Sequence, residues 1–211
     1  MQKNNRIILA LDVEDPERAL QICKEAAEYI DAVKVGHPLV LSSGAGIIKK
    51  IKQFNKPVIA DFKVADIPEI SRKLCEIAVK SGADYVIVHG FVGEDVIKAC
   101  SEAAKIFVVA EMSHPGAKDF MSGEAEKIAA VAKKYAHGIV APATRPERVK
   151  QLRKIVGSDM VIISPGVKAQ GAAVGDAIKA GADFEIIGRG ICAAQNPKKA
   201  AKEFADILKK L

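Results

Sequence analysis

The sequence predicts a single (β/α)8 barrel, the TIM-barrel fold, over residues 1–211. Three observations carry that expectation. Eight runs of nearly continuous apolar residues alternate with helix-like segments, the pattern of parallel strands buried on both faces. Eight such units in 211 residues sit at the lower size limit of a closed barrel. Finally, Lys80-Ser81-Gly82-Ala83-Asp84-Tyr85 is echoed by Lys179-Ala180-Gly181-Ala182-Asp183-Phe184, entering the fourth and eighth strands. An open doubly wound sheet is the competing architecture, but Asp12-Val13-Glu14 follows the first strand, where a glycine-rich dinucleotide turn would stand.

The first strand is expected over 6–12, an apolar run ending in Asp12, after which Asp15-Pro16 opens a helix as cap and first-turn proline. The second, 32–36, carries Lys34. The third, 57–63, brings Asp61 and Lys63 into an otherwise apolar run, and Asp66-Ile67-Pro68 follows where the chain turns. The fourth, 85–90, reaches His89; the fifth, 106–112, reaches Glu111 and leads into Met112-Ser113-His114-Pro115-Gly116. The sixth, 138–142, runs into Thr144-Arg145-Pro146-Glu147, which reads as a capping box. The seventh, 160–166, passes Ser164 into Pro165-Gly166-Val167-Lys168-Ala169-Gln170-Gly171, and the eighth, 184–190, ends in Gly188-Arg189-Gly190. A barrel places its active site at the C-terminal strand ends. The polar residues expected there are Asp12, Lys34, Asp61 with Lys63, His89, Glu111 with Ser113, Ser164 and Arg189, more charge than core packing requires.

Composition narrows the function classes. Hydrophobic residues make up 49% and charged residues 27%, a globular balance. A charged-then-apolar leader and an apolar run of the roughly 18 residues a membrane span needs are both missing from the sequence, so a cytoplasmic protein without a membrane partner is expected. Cys23, Cys75, Cys100 and Cys192 are far apart and form no C-x-x-C pair, so they are expected to be buried thiols. The net charge of +6 comes from lysines scattered over helical segments rather than from a basic stripe with aromatics, so no nucleic-acid partner is expected. His37, His89, His114 and His137 show no metal spacing; His89 alone is placed behind the site.

Strand alternation puts Asp61 and Lys63 on one side and Phe62 and Val64 on the other. A barrel lysine can serve as a Schiff-base nucleophile, but that role needs a depressed pKa. Asp61 and Asp66 instead favour the ammonium, suiting Lys63 to donate a proton and stabilise developing negative charge. The bland readings are a structural ion pair for Asp61–Lys63 and, for Asp66-x-x-Glu69, a helix-capping box. The seventh and eighth loops together read as an anion site, with glycines admitting backbone N–H groups and Arg189 supplying a forked charge. Ser113 in its Pro-Gly turn suits a planar polar ring, or is an ordinary turn residue.

The motif Asp61-x-Lys63-x-x-Asp66-Ile67-Pro68, the segment Met112 to Gly116, Ser164-Pro165-Gly166 and Gly188-Arg189, in that order, resemble the orotidine 5′-phosphate decarboxylase family in its short archaeal form. The resemblance runs from Asp12 to Arg189. It implies a cofactor-free enzyme of pyrimidine synthesis that converts orotidine 5′-monophosphate to uridine 5′-monophosphate and carbon dioxide. It also implies a homodimer, with Asp66 and Ile67 entering the partner's site, which turns the reading of Asp66 toward function. Asp12 and Lys34 would hold the ribose, Ser113 the pyrimidine edge, Pro165 part of the apolar pocket, and Gln170, Gly188 and Arg189 the phosphate. Ile70, Lys168 and Gly190 depart from the family pattern, at a ribose contact, in the phosphate loop and after the arginine. Two rivals remain. A magnesium-dependent decarboxylase or synthase acting on a keto-sugar phosphate would need an acidic ligand where Lys34 stands, and a non-catalytic phosphate-binding barrel would not need the Asp61–Lys63–Asp66 group.

Overall fold

Apolar strands with a two-residue period can bury both faces only if something covers each of them, and a closed barrel wrapped in helices does so. In a computed structural model that describes residues 1–168 and 170–211, the strands are β1 (Ile7–Leu11), β2 (Ala32–Gly36), β3 (Val58–Val64), β4 (Tyr85–His89), β5 (Ile106–Val109), β6 (Gly138–Val140), β7 (Val161–Pro165) and β8 (Phe184–Ile187). Ala169, in the loop the sequence assigns to an anion, lies outside the described residues. All eight pair in parallel with their sequence neighbours, and β8 closes on β1 with Ile7 opposite Glu185. The open doubly wound alternative is thereby excluded.

Alternation sorts the side chains into two layers. Ile8, Ala10, Ile59, Ile87, Phe107, Ile163, Phe184 and Ile186 fill the barrel interior. Ile7, Leu9, Leu11, Val33, Val35, Val58 and Ala60 face the helices. Each fully buried aliphatic or aromatic side chain contributes roughly 1.5–3 kcal/mol, so this double layer supplies the bulk of the driving force. The same alternation turns Lys34 and Asp61 inward, since Ala32 and Ile59 two residues earlier belong to the interior cluster.

The expected helix after β1 is present: the Asp15 carboxylate accepts from the N–H groups of Glu17 (2.9 Å) and Arg18 (3.3 Å), and Pro16 begins the helix Pro16–Ala26. The internal echo also has a structural meaning. Asp84 accepts the N–H of Val58 and Asp183 that of Ile162, each at 2.7 Å, so each aspartate closes the base of the preceding strand. The glycines before them, Gly82 and Gly181, have matching φ of 107° and 108°.

Several expectations are corrected. β5 stops three residues short, where the chain leaves the ladder to seat Glu111, β6 stops two short, and β8 stops three short, where the helix Arg189–Cys192 begins. The Glu111 carboxylate is fully buried and bonded to Arg145 (3.1 Å), Arg148 (2.8 Å) and Ser122 (2.7 Å). Neither capping box forms. The helix Pro146–Val156 has no side-chain cap; Thr144 donates instead to the Ser113 carbonyl at 2.7 Å. The helix Pro68–Lys80 likewise has no side-chain cap: Glu69 pairs with Lys73, while Ser71 both accepts from the Asp66 N–H and donates to its carbonyl. Cys23, Cys75 and Cys100 are buried as expected, whereas Cys192 is only partly so. Among the described residues, no helix is long and apolar enough to cross a membrane.

Candidate active site

The C-terminal strand ends enclose a cavity of ≈ 290 Å³. Its lining takes Asp12 from the end of β1, Lys34 from β2, Asp61 and Lys63 from β3, and Ser113 from the loop after β5. Pro165 and Gln170 come from the β7 end and loop, and Gly188 and Arg189 from the β8 end. Ile87, Val109, Val140 and Ile186 supply an apolar floor.

The charged residues form an alternating chain. Asp12 lies 3.5 Å from Lys34, Lys34 lies 2.6 Å from Asp61, and Asp61 lies 2.9 Å from Lys63. The side chains of Lys34 and Asp61 are each 7% exposed and that of Lys63 is 34% exposed, so Lys63 is the member of the buried trio that presents its charge to the cavity. Burial works against the Lys34 ammonium, yet Asp61 and Asp12 outweigh it and its pKa is raised. Burial equally opposes ionisation of Asp61, yet Lys34 and Lys63 outweigh it and its pKa is lowered. Both groups are therefore held charged. Gly36 makes room for this chain, because a Cβ there would lie 2.8 Å from the Asp12 Oδ1.

Lys63 reaches its place by a device that alternation does not reveal. Ala60 pairs with Val86 and Val64 with Val88, so β3 spends four residues where β4 spends two. Lys63 sits in this bulge at φ 43°, a left-handed conformation that non-glycine residues adopt at a cost and that concentrates at functional sites. Phe62 and Val64 nevertheless join the outer layer as expected.

Asp66 and Ile67 are not part of the cavity lining of their own chain. Asp66 is exposed, its Oδ1 accepting, among the described residues, only a local N–H from Ile67 at 2.7 Å, and Ile67 is 63% exposed. Among the described residues Lys63 pairs with Asp61 and not with Asp66. Ser164 and Glu111 do not line the cavity either, correcting the strand-end inventory: the Ser164 hydroxyl is buried in the layer outside the barrel, and Glu111 belongs to its arginine pair. His89 stands behind the site, its Nδ1 buried without a partner among the described residues. Desolvation first, and then Lys63, lower its pKa, with Asp61 opposing.

The remaining wall is built from loops. After β7 the chain folds on itself: the N–H of Lys168 donates to the Ala172 carbonyl at 2.8 Å and that of Gly171 to the Lys168 carbonyl at 3.0 Å. Gly166 has φ 114°, and a Cβ there would meet Thr144 Cγ2 at 2.9 Å, so this turn needs glycine. Arg145, which lies in a segment with the spacing of a capping box, donates instead to the Met112 and Ser113 carbonyls and to Glu111, fixing the loop that presents Ser113. Cys192 and Met112 also line the cavity and were missed. Their neighbours Arg189 and Ser113 are the sequence signal that points to them.

A closed barrel with an ionic chain set against glycine- and arginine-bearing loops defines a β/α-barrel enzyme. The chain belongs to the orotidine 5′-phosphate decarboxylase / HUMPS family, whose model matches residues 5–204. It is 53% identical to orotidine 5′-phosphate decarboxylase of Methanosarcina mazei over 98% of this chain and 96% of that one. The crystal structure of the Methanocaldococcus jannaschii decarboxylase complexed with the inhibitor BMP superposes with a TM-score of 0.92 at 48% identity, covering 96% of this chain and 98% of that one. The Pyrococcus horikoshii enzyme also gives 0.92, at 44% identity, covering 97% and 100%.

Proposed function

We propose that the protein decarboxylates orotidine 5′-monophosphate to uridine 5′-monophosphate and carbon dioxide, in pyrimidine biosynthesis and without a cofactor. The observation that carries this reading is the Asp12–Lys34–Asp61–Lys63 chain opening into a cavity that Gln170 and Arg189 also line. Loss of carbon dioxide from C6 leaves an electron pair in the ring plane, where the ring's π system cannot spread it. Lys63 stabilises that carbanion as the C–C bond breaks and then passes a proton to C6. Asp61 faces the departing carboxylate and fixes Lys63, while Lys34 keeps Asp61 ionised.

Asp12 and Lys34 hold the ribose, Ser113 the pyrimidine edge, Pro165 part of the apolar wall, and Gln170, Gly188 and Arg189 the phosphate. Binding energy from the phosphate, remote from C6, then organises the site for reaction. Asp66 and Ile67 act in the neighbouring site of a homodimer. Their exposure outside their own cavity, on the loop that directly follows Lys63, supports this reading. Lys34 disfavours the magnesium-dependent rival, since a cation fills the position an acidic ligand would need.

The test is to mix purified protein with orotidine 5′-monophosphate in the presence of a chelator and follow loss of the orotate absorbance. Conversion to uridine 5′-monophosphate is expected. Activity that vanishes with the chelator, or no conversion at all, would count against the proposal.

A further inference from the structure

Glu185 is a fully buried carboxylate in the otherwise apolar strand β8, and the reaction described above makes no use of it. Phe184 and Ile186 face the barrel interior, so alternation turns Glu185 toward the helix layer. There its two oxygens accept the backbone N–H of Gly175 at 2.9 and 3.1 Å.

The position of Gly175 gives this contact its importance. The loop that leaves β7 at Gly166 carries Gln170, is braced internally by its own turn, and returns to the barrel at Gly175, whose φ is 92°. Four residues beyond Glu185 on its own segment stands Arg189. One side chain therefore ties the strand that delivers Arg189 to the loop that delivers Gln170. Burial outweighs the N–H groups and, with Asp176 adding to it, pushes the Glu185 carboxyl up to about 7. A carboxylate at this position is a net burden on the fold at neutral pH, which argues that its role is not simply to stabilise the short helix Asp176–Lys179.

We propose that Glu185 is a positioning residue for the phosphate site: its carboxylate seats the return of the β7 loop so that Gln170 and Arg189 converge on one anion. This rests on the reading of those two residues as phosphate ligands. Both carboxyl oxygens meet the Gly175 N–H, and the amide of a glutamine offers one acceptor oxygen in place of two.

The experiment compares Glu185→Gln and Arg189→Ala with the unaltered enzyme on two substrates, orotidine 5′-monophosphate and orotidine, which lacks the phosphate. Glu185→Gln is expected to lower kcat/KM for the monophosphate roughly tenfold, chiefly through KM, and to leave that for orotidine within about twofold. Equal losses on both substrates, or no loss on either, would overturn the proposal. Arg189→Ala separates the two levels of the argument. If it erases the preference for the monophosphate while Glu185→Gln does not, the Glu185 role fails and the phosphate site stands. If Arg189→Ala spares the preference, the phosphate site lies elsewhere and both readings fall. Should Glu185→Gln not fold, Glu185→Asp, which keeps the charge but draws the oxygens back by one methylene, is read in the same way.

Discussion

Lys34 Nζ lies 2.6 Å from Asp61 Oδ2, with both side chains almost wholly removed from solvent, while Lys63 takes the other oxygen of the same carboxylate at 2.9 Å. Asp61 is thus shared between a buried lysine that keeps it ionised and a more exposed lysine that faces the cavity.

Replacing Lys34 by Met should show that dependence. Asp61 then keeps Lys63 alone against its own burial, so its lowered pKa rises. The stability an ionised Asp61 supplies is present above its unfolded pKa and lost as pH falls through the folded one. In Lys34→Met the acid limb of kcat/KM therefore moves to higher pH, and stability falls by about 3 kcal/mol because a buried charge loses its partner. An unmoved acid limb would contradict the assignment.

The shared site is tested by complementation. Asp66→Ala and Lys63→Ala chains are each expected to be inactive alone. When they are unfolded together and refolded as a mixture, half of the dimers are mixed and each mixed dimer holds one intact site, so about a quarter of wild-type activity returns. No recovery, or a fully active monomer, would assign Asp66 to its own chain.

Arg145→Ala removes the donor that holds the Met112 and Ser113 carbonyls and bonds Glu111. Glu111 is ionised against its burial by Arg148, Ser122 and Arg145. Loss of one arginine should lower Tm and raise KM several-fold, with a smaller effect on kcat, as expected if the misplaced Ser113 is the group proposed to hold the ring. Unchanged KM with lowered Tm would leave Arg145 a purely structural residue.

Much of this was legible in the chain. The eight strands could be read because parallel strands covered on both faces are continuously apolar, and Asp61 and Lys63 stood out as charges inside such a run. The partnership of Lys34 with Asp61 was not legible: it joins residues 27 apart, and only barrel closure and inward alternation bring them together. The bulge at Lys63 was hidden because no glycine marks its positive φ. Thr144 and Arg145 were read as part of a capping box because local spacing cannot show that their side chains find partners on another segment. Glu185 passed unnoticed since one carboxylate among apolar residues carries no motif; its meaning lies in the Gly175 amide it meets.

Glu185 also predicts a pH dependence of stability. Its folded pKa is raised from 4.5 to about 7, so its contribution is fully present below the unfolded value and is lost as pH rises through the folded one. The difference amounts to about 3 kcal/mol. Relative to Glu185→Gln, the wild-type unfolding free energy should decline by up to that amount between pH 5 and 8. Parallel curves for the two proteins would show that Glu185 titrates normally.

The most direct measurement is single-turnover decarboxylation of orotidine 5′-monophosphate by Lys63→Ala, alongside its affinity for uridine 5′-monophosphate. The account predicts a rate reduced by more than about a thousandfold with product binding retained, because the charge that meets the carbanion is gone while the phosphate and ribose contacts remain. A rate within tenfold of the unaltered enzyme would show that another group stabilises and protonates C6.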